Sequence, residues 1–148
     1  MTDIKKEESI VKWKVSFNMG VVMIDNEHKA IFAAMKDVEK AILEKDYEGC
    51  VSRLTDTLEI IKTHFKNEET LLRKFNYPTV DYDEHVAYHN ELLLKARAVM
   101  VLCEEKAADK DVGECFRGMI KFLVDDIIVG DLNFKKFLKD KGLISPSS

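Results

Sequence analysis

The stretch HFKNEETLL, residues 64 to 72, places His64 and Glu68 four positions apart among apolar neighbours. On an α-helix, two residues at this spacing point to the same side. An imidazole and a carboxylate that face an apolar interior are unfavourable unless they are paired with each other or bound to a cation. The stretch therefore indicates a polar site inside a helical protein.

The surrounding sequence predicts four amphipathic helices, because apolar residues recur at helical spacing in four segments. The segments run from Asn26 to about Lys45, from Tyr47 to about Phe75, from Asp81 to about Lys106 and from about Gly113 to Lys139. Asp25 and Asp81 are the expected N-caps of the first and third helices. On the third helix we expect four residues to be buried: Val86, Leu93, Val99 and Leu102.

The short connections between these segments favour antiparallel neighbours, so the predicted fold is all-α, an up-down-up-down four-helix bundle. Residues 11 to 25, which include Gly20, are expected to form an extended lead-in segment. The length of 148 residues fits a single domain over residues 1–148. We expect residues 1–10 and 143–148 to be frayed.

The overall composition excludes several classes of function. A formal net charge of −4 argues against nucleic acid as a partner, because phosphate binding needs a basic face. The three cysteines are far apart in sequence and form no CxxC motif, so we expect reduced, buried thiols. The polar N-terminal residues do not resemble a signal peptide, and no apolar run suits a membrane span. The sequence therefore predicts a cytoplasmic protein with no nucleic-acid or membrane partner.

The predicted helix order brings all four histidines of the chain to one end of the bundle. A single histidine on an apolar helix face is usually only packed there, but four at one depth favour a metal site. The fourth helix adds Asp125, Asp126 and Asp131 at the same level. Histidine and carboxylate ligands together suit first-row transition metals. Five or six ligands exceed the four that one zinc ion usually takes, so two ions fit better.

The same residues resemble the hemerythrin family, in particular its single-domain bacterial type. The resemblance covers nearly the whole chain and rests on six features: Trp13, MGVVMIDNEHKAIF (19 to 32), HFKNEETLL (64 to 72), Tyr77 with Pro78, His85 with His89, and FLVDDIIVGD (122 to 131). It implies a non-haem di-iron centre that binds dioxygen, with an oxo or hydroxo bridge.

The resemblance also implies a role for each ligand position. His28 and His64 would bind one iron, and His85 and His89 would bind the other. Glu68 and Asp131 would bridge the two ions. Manganese or a mixed iron–manganese pair is also compatible with this ligand set. The expected small-molecule ligand is dioxygen or peroxide, and the electron donor is unknown.

One ligand position departs from the family pattern, because Asp126 stands where a third histidine is expected on the His85/His89 iron. Asp125 is an alternative ligand. On a straight helix, two residues five apart such as Asp126 and Asp131 point about 140° apart. A one-residue bulge at Gly130 would help to align them.

An aspartate at this position has three possible consequences. A ligating Asp126 adds negative charge, which favours ferric iron and faster autoxidation. An aspartate too short to reach leaves an open coordination position, and a third alternative is a solvated residue without a role.

The resemblance places three residues at the oxygen pocket: Phe122, where tryptophan is usual, Leu123 and Ile127.

The ligand set and the resemblance lead to three functional hypotheses. The leading prediction is an oxygen-binding protein for storage, delivery or sensing. An oxygen or peroxide reductase that uses the same centre is the alternative. An iron store or iron sensor is the third hypothesis.

Overall fold

The computed structural model describes residues 10–14 and 17–142, apart from the side chains of Asp126, Ile127, Val129 and Asp131. The two chain ends that we expect to be frayed lie outside these residues, except for Ile10. The single domain over residues 1–148 stays a prediction.

Helices account for most of the described chain, and no strand occurs in that part of it. The segments are α1 Val22–Leu43, α2 Tyr47–Lys74, α3 Thr79–Glu104, α4 Asp109–Phe122, a π-helical segment Leu123–Ile128, and α5 Val129–Asp140. Leu123 (φ −56°, ψ −47°) and Ile128 (φ −66°, ψ −45°) both have helical dihedral angles. The last three segments therefore form one continuous helical rod, which corresponds to the predicted fourth helix.

Contacts at both ends of α2 and α3 show that these two helices are antiparallel. Near the start of α2, Cys50 Sγ lies 3.2 Å from Cys103 Sγ near the end of α3. Near the end of α2, Glu68 Oε1 lies 2.5 Å from His85 Nε2 near the start of α3. The all-α helical bundle predicted from the sequence is confirmed. Within residues 10–14 and 17–142, no helix is long and apolar enough to cross a membrane.

The buried residues of α3 mirror those of α2 in their spacing. Six buried residues of α2 follow one another at alternating steps of four and three: Cys50, Leu54, Thr57, Ile61, His64 and Glu68. The six buried residues of α3 repeat these steps in the opposite direction: Cys103, Val99, Ala96, Leu92, His89 and His85. Such spacing is typical of helices that pack side by side along a coiled-coil interface. These twelve residues form what we name the α2–α3 seam.

Two apolar clusters fill the bundle on either side of the histidines. The larger cluster extends towards Cys50 and Cys103. The smaller cluster consists of Met19, Ile24, Leu72, Phe134 and Leu138, with half-buried neighbours. The ring of His89 stacks on Phe65 of the larger cluster at 3.6 Å between centroids, and the ring of His85 lies 6.4 Å from Phe134 of the smaller one. The polar residues are thus enclosed between two apolar layers.

Both predicted N-caps are wrong. Asp25 lies inside the first turn of α1, where its carboxylate accepts hydrogen bonds from the backbone N–H groups of Met19 at 2.6 Å and Gly20 at 3.1 Å. It therefore fixes the residues before the helix and does not cap it. The extended lead-in segment, predicted to reach residue 25, ends before Val22, where α1 begins. Asp81 lies in the first turn of α3, which already begins at Thr79.

Two further details of the helices differ from expectation. The helix predicted from about Gly113 begins at Asp109. On α3, Val99 is buried as predicted, whereas Leu93 and Leu102 are only half-buried, as is Val86. Leu92 and Cys103, each next to a predicted residue, occupy the seam in place of Leu93 and Leu102.

Substitution of two adjacent isoleucines tests the position of the core. Ile61 is fully buried in the seam, whereas its neighbour Ile60 is 38 % exposed. We expect Ile61→Ala to lower the free energy of unfolding by about 2–5 kcal/mol, because it removes buried methyl groups and leaves a cavity. Ile60→Ala, the matched control, should change it by less than about 0.5 kcal/mol. Urea unfolding followed by circular dichroism measures both, and equal effects would contradict this packing.

Candidate metal centre

The centre of the site is the carboxylate of Glu68, which is 0 % exposed. Its Oε1 lies 2.5 Å from His85 Nε2 and 3.1 Å from His89 Nε2. Its Oε2 lies 3.2 Å from His64 Nε2 and 3.6 Å from His28 Nε2. Each carboxylate oxygen is therefore faced by its own pair of histidines.

Helical spacing explains how three helices bring these side chains together. His64 and Glu68 are one turn apart on α2, and so are His85 and His89 on α3. His28 comes from the second turn of α1, and all four imidazoles are buried. The structure thus brings together five of the seven residues that the sequence predicts as ligands.

Electrostatics favour a charged carboxylate at the centre. Burial by itself would raise the pKa of Glu68, but the four histidines that face its oxygens outweigh it and hold this pKa well below the ordinary 4.5. Burial would lower the pKa of His89, but Glu68 and Glu69 outweigh it and raise this pKa above 6.5. The centre of the site is therefore an anion that attracts positive charge.

Two further carboxylates orient the imidazoles from outside, and neither is among the residues predicted from the sequence. Glu27 Oε1 lies 2.7 Å from His64 Nδ1, and Glu27 Oε2 accepts a hydrogen bond from Asn67 Nδ2 at 2.8 Å. Glu69 Oε2 lies 2.8 Å from His89 Nδ1. A proton held on Nδ1 leaves Nε2 free to bind a metal, as in many metal sites. Glu69 directly follows the predicted ligand Glu68 in sequence. Because a ligating histidine needs a carboxylate or carbonyl partner, this adjacency could have identified Glu69 as an orienting residue.

The described residues fit two metal ions. His64 Nε2 and Glu68 Oε2 are fully buried and make no hydrogen bond with any described side chain, although they lie only 3.2 Å apart. Ligand atoms about 2.1 Å from a shared ion and at right angles lie about 3 Å apart. Two sets of ligand atoms fall within 4.8 Å of one another: His28, His64 and Glu68, and Glu68, His85 and His89. Glu68 belongs to both sets, as a bridging carboxylate would.

The remaining predicted ligands lie on or just after the π-helical segment. The side chains of Asp126 and Asp131 lie outside the described residues, so their ligation stays a prediction. A π-turn adds one residue to a helical turn, and this one ends two residues before Gly130, where we expected the bulge. Asp125, the alternative ligand, is exposed and its carboxylate accepts a hydrogen bond from Lys121 Nζ at 2.9 Å.

A small cavity of about 10 Å³ adjoins His28 and His64. Its apolar walls are Ile31, Phe32, Phe65, Leu123 and Ile128. Its volume is close to the minimum that one water molecule needs. Of the three residues expected at an oxygen pocket, Leu123 lines this cavity and the side chain of Ile127 lies outside the described residues. Phe122 is not part of the wall, and its ring lies 6.0 Å from that of Tyr88 instead.

The fold and the site define a helical-bundle protein with a buried histidine–carboxylate site for cations. The family model described as the hemerythrin HHE cation binding domain matches residues 19–128. The chain therefore belongs to the hemerythrin family. Asp126 lies inside the matched range, and Asp131 lies just beyond it.

Several curated relatives are similar to this chain over much of its length. The myohemerythrin of Theromyzon tessulatum is 25 % identical over 95 residues, which cover 64 % of this chain and 72 % of the relative. The bacteriohemerythrin of Clostridium acetobutylicum is 24 % identical over 116 residues, which cover 76 % and 85 %. That of Pseudomonas aeruginosa is 24 % identical over 108 residues, which cover 73 % and 67 %. No solved structure matches the chain at the level of significance that these relatives reach.

Substitutions of three glutamates on α2 test whether Glu68 bridges two ions. We expect Glu68→Gln to abolish tight binding of both ions, because an amide neither bridges two cations nor neutralises them. Glu69→Gln should weaken the binding of one ion by about 10–100-fold, since Glu69 only orients His89. Glu59→Gln, on an exposed residue, is the control without effect. Titration with Co²⁺ against a chelator measures each affinity, and a Glu68→Gln chain that still binds two ions tightly would contradict this geometry.

The pKa shifts predict how pH affects the metal-free protein. The raised pKa of His89 contributes stability that is present below pH 6.5 and is lost as pH rises through the folded value. The lowered pKa of Glu68 contributes stability that is present above pH 4.5 and is lost as pH falls through the folded value. The two contributions therefore overlap in the mildly acidic range.

Metal binding reverses the pH dependence of stability that His89 contributes, because the ion must displace the proton of this imidazole. The free energy of unfolding, measured with and without Co²⁺ between about pH 5 and about pH 8, should show that the stabilisation by metal grows as pH rises. Stabilisation by metal that shrinks over this range would be inconsistent with histidine ligands.

Proposed function

We propose that this chain is a non-haem di-iron protein that binds dioxygen in the bundle core, for storage, delivery or sensing. The observation that supports it most is the division of Glu68 between two histidine pairs, one pair on each carboxylate oxygen. Membership of the hemerythrin family agrees with it. The names of its relatives, myohemerythrin and bacteriohemerythrin, point to the same function.

The ligands divide between the two ions as the geometry of Glu68 suggests. His28 and His64 would hold one ion, and His85 and His89 would hold the other. Asp131 would be a second bridging ligand, and Asp126 would take the place of a histidine on the second ion. A pair of ferrous ions held in this way would supply the two electrons that reversible dioxygen binding requires. A manganese or mixed pair is compatible with the same ligands.

The cavity beside His28 and His64 supports dioxygen as the ligand. At about 10 Å³ it offers room for only a very small molecule, and its walls are apolar. An apolar wall favours a neutral diatomic over water, because a water molecule there lacks hydrogen-bond partners. We infer that dioxygen approaches the ion held by His28 and His64.

Asp126 favours a second candidate function, an oxygen or peroxide reductase. An aspartate in place of a neutral histidine adds negative charge, which stabilises ferric iron and speeds autoxidation. A centre that oxidises quickly is better suited to turnover than to reversible carriage, provided that an electron donor reduces it again.

We place the protein in the cytoplasm with that donor unidentified, and the net charge of −4 supports the absence of a nucleic-acid partner.

Oxygenation of the ferrous protein tests the proposal. The protein is loaded with ferrous iron without air, air is then admitted, and the visible spectrum is followed. A charge-transfer band that disappears under vacuum is the expected result for a carrier. Rapid passage to a stable ferric spectrum, with turnover when reductant and peroxide are supplied, would support the reductase. Tight iron retention with no such band would favour the hypothesis of an iron store or iron sensor.

Exchange of single aspartates tests the role assigned to Asp126. We expect Asp126→His to lengthen the life of the oxygenated protein several-fold, because it removes a negative charge that favours ferric iron. Asp125→His is the matched control one residue away, at an exposed position paired with Lys121. Stopped-flow spectroscopy gives both lifetimes. If Asp125→His lengthens the life and Asp126→His does not, the ligand assignment is wrong.

A further inference from the structure

Two of the three cysteines meet at the end of the α2–α3 seam opposite the metal centre. The Sγ atoms of Cys50 and Cys103 lie 3.2 Å apart, and the residues are 0 % and 3 % exposed. Both are free thiols. Their separation in sequence gave no reason to connect them, and only the antiparallel order of the helices brings them together. A buried pair of thiols in contact has the composition of a redox-active dithiol.

The two thiols differ in access to solvent. Cys103 lines an open surface groove of about 680 Å³ whose wall also includes Tyr47 and Val51, whereas Cys50 does not line it. Two lysines, Lys45 and Lys106, border the same groove. A small neutral oxidant that enters this groove therefore meets Cys103 before Cys50.

Burial also sets how fast the two thiols can react. Burial raises the pKa of both thiols. The difference in access therefore makes Cys103 the first thiol to react, and Cys50, in contact with it, is placed to react second. Because burial keeps the thiolate scarce at neutral pH, we expect oxidation over minutes to hours.

We propose that Cys50 and Cys103 form a redox site at which hydrogen peroxide converts the two thiols into a reversible disulfide. The Cys103 sulfur attacks one peroxide oxygen, the O–O bond breaks, and the leaving hydroxide takes up the proton that Cys103 loses. The products are a sulfenic acid and water.

The second step closes the disulfide. The Cys50 sulfur attacks the Cys103 sulfur, an S–S bond forms and the S–O bond breaks. The hydroxide that leaves takes up the Cys50 proton and becomes a second water molecule. The two sulfurs together lose the two electrons that reduce the peroxide. This chemistry uses no metal and does not depend on the function proposed above.

The fold can accommodate the bond. A disulfide of about 2.05 Å requires the two sulfurs, now 3.2 Å apart, to approach by about 1.2 Å. The bond links the first turn of α2 to the last turn of α3 and closes a long loop of chain. Such a link restricts the unfolded chain, so the oxidised protein should melt roughly 5–10 °C higher.

Peptide mapping of the full chain after exposure to hydrogen peroxide tests the proposal. Free thiols are alkylated under denaturing conditions, the protein is digested, and the peptides are identified by mass spectrometry. We expect a Cys50–Cys103 linked peptide that dithiothreitol removes. Cys115→Ser is the matched control: Cys115 is half-buried on α4, and its removal should leave the linked peptide unchanged.

A second variant separates the two steps. Cys50→Ser should stop the reaction at a sulfenic acid on Cys103, which dimedone captures. The proposal fails if Cys50 and Cys103 of the wild-type chain remain fully alkylated after hours with peroxide. It also fails if the linked peptide contains Cys115 in place of Cys50. Because the wild-type chain alone can give either result, the test does not depend on whether the variants fold.

Discussion

The bundle is organised around one buried anion, the carboxylate of Glu68. Transfer of a carboxylate into a protein interior costs several kcal/mol unless positive or hydrogen-bonding groups replace the lost water. Here the replacement comes from four imidazoles on three helices, two at each carboxylate oxygen. The helices must therefore meet at one depth and in one register. A single charged group thus constrains how α1, α2 and α3 pack.

The apolar layers and the outer carboxylates make this arrangement usable for metal binding. The two clusters on either side keep water away, which strengthens every electrostatic interaction between them. Glu27 and Glu69 lie at the partly exposed edge, where a charge is less costly, and each lies 2.7–2.8 Å from the Nδ1 atom of an imidazole. Among the described residues, the site thus keeps negative charge at two depths: one carboxylate at the centre to bind cations, and two outside to orient the ligands.

Features that depend on the spacing of residues along the chain could be predicted from the sequence. Features that depend on contacts between distant segments could not. Helix order and the convergence of the four histidines follow from periodicity and short loops alone. The N-cap assigned to Asp25 was wrong because its carboxylate binds backbone N–H groups of the lead-in segment, a contact that no spacing rule contains. The buried face of α3 was misjudged because Leu92, Leu93 and Leu94 are consecutive and leave the face undetermined. The Cys50–Cys103 contact could not be predicted from spacing either, because it arises only once α2 and α3 lie side by side.

The seam relates the thiol pair to the metal centre by equal lengths of helix. Cys50 precedes His64 by fourteen residues on α2, and Cys103 follows His89 by fourteen residues on α3. At a rise of about 1.5 Å per residue, both distances are about 21 Å. Because the two lengths match, a bond between the sulfurs draws the helices together at one end without sliding either along the other. A slide would separate Glu68 from His85 and His89, whereas a lateral closure about 21 Å away leaves their register intact. The geometry therefore allows thiol oxidation and metal binding to occur in the same molecule.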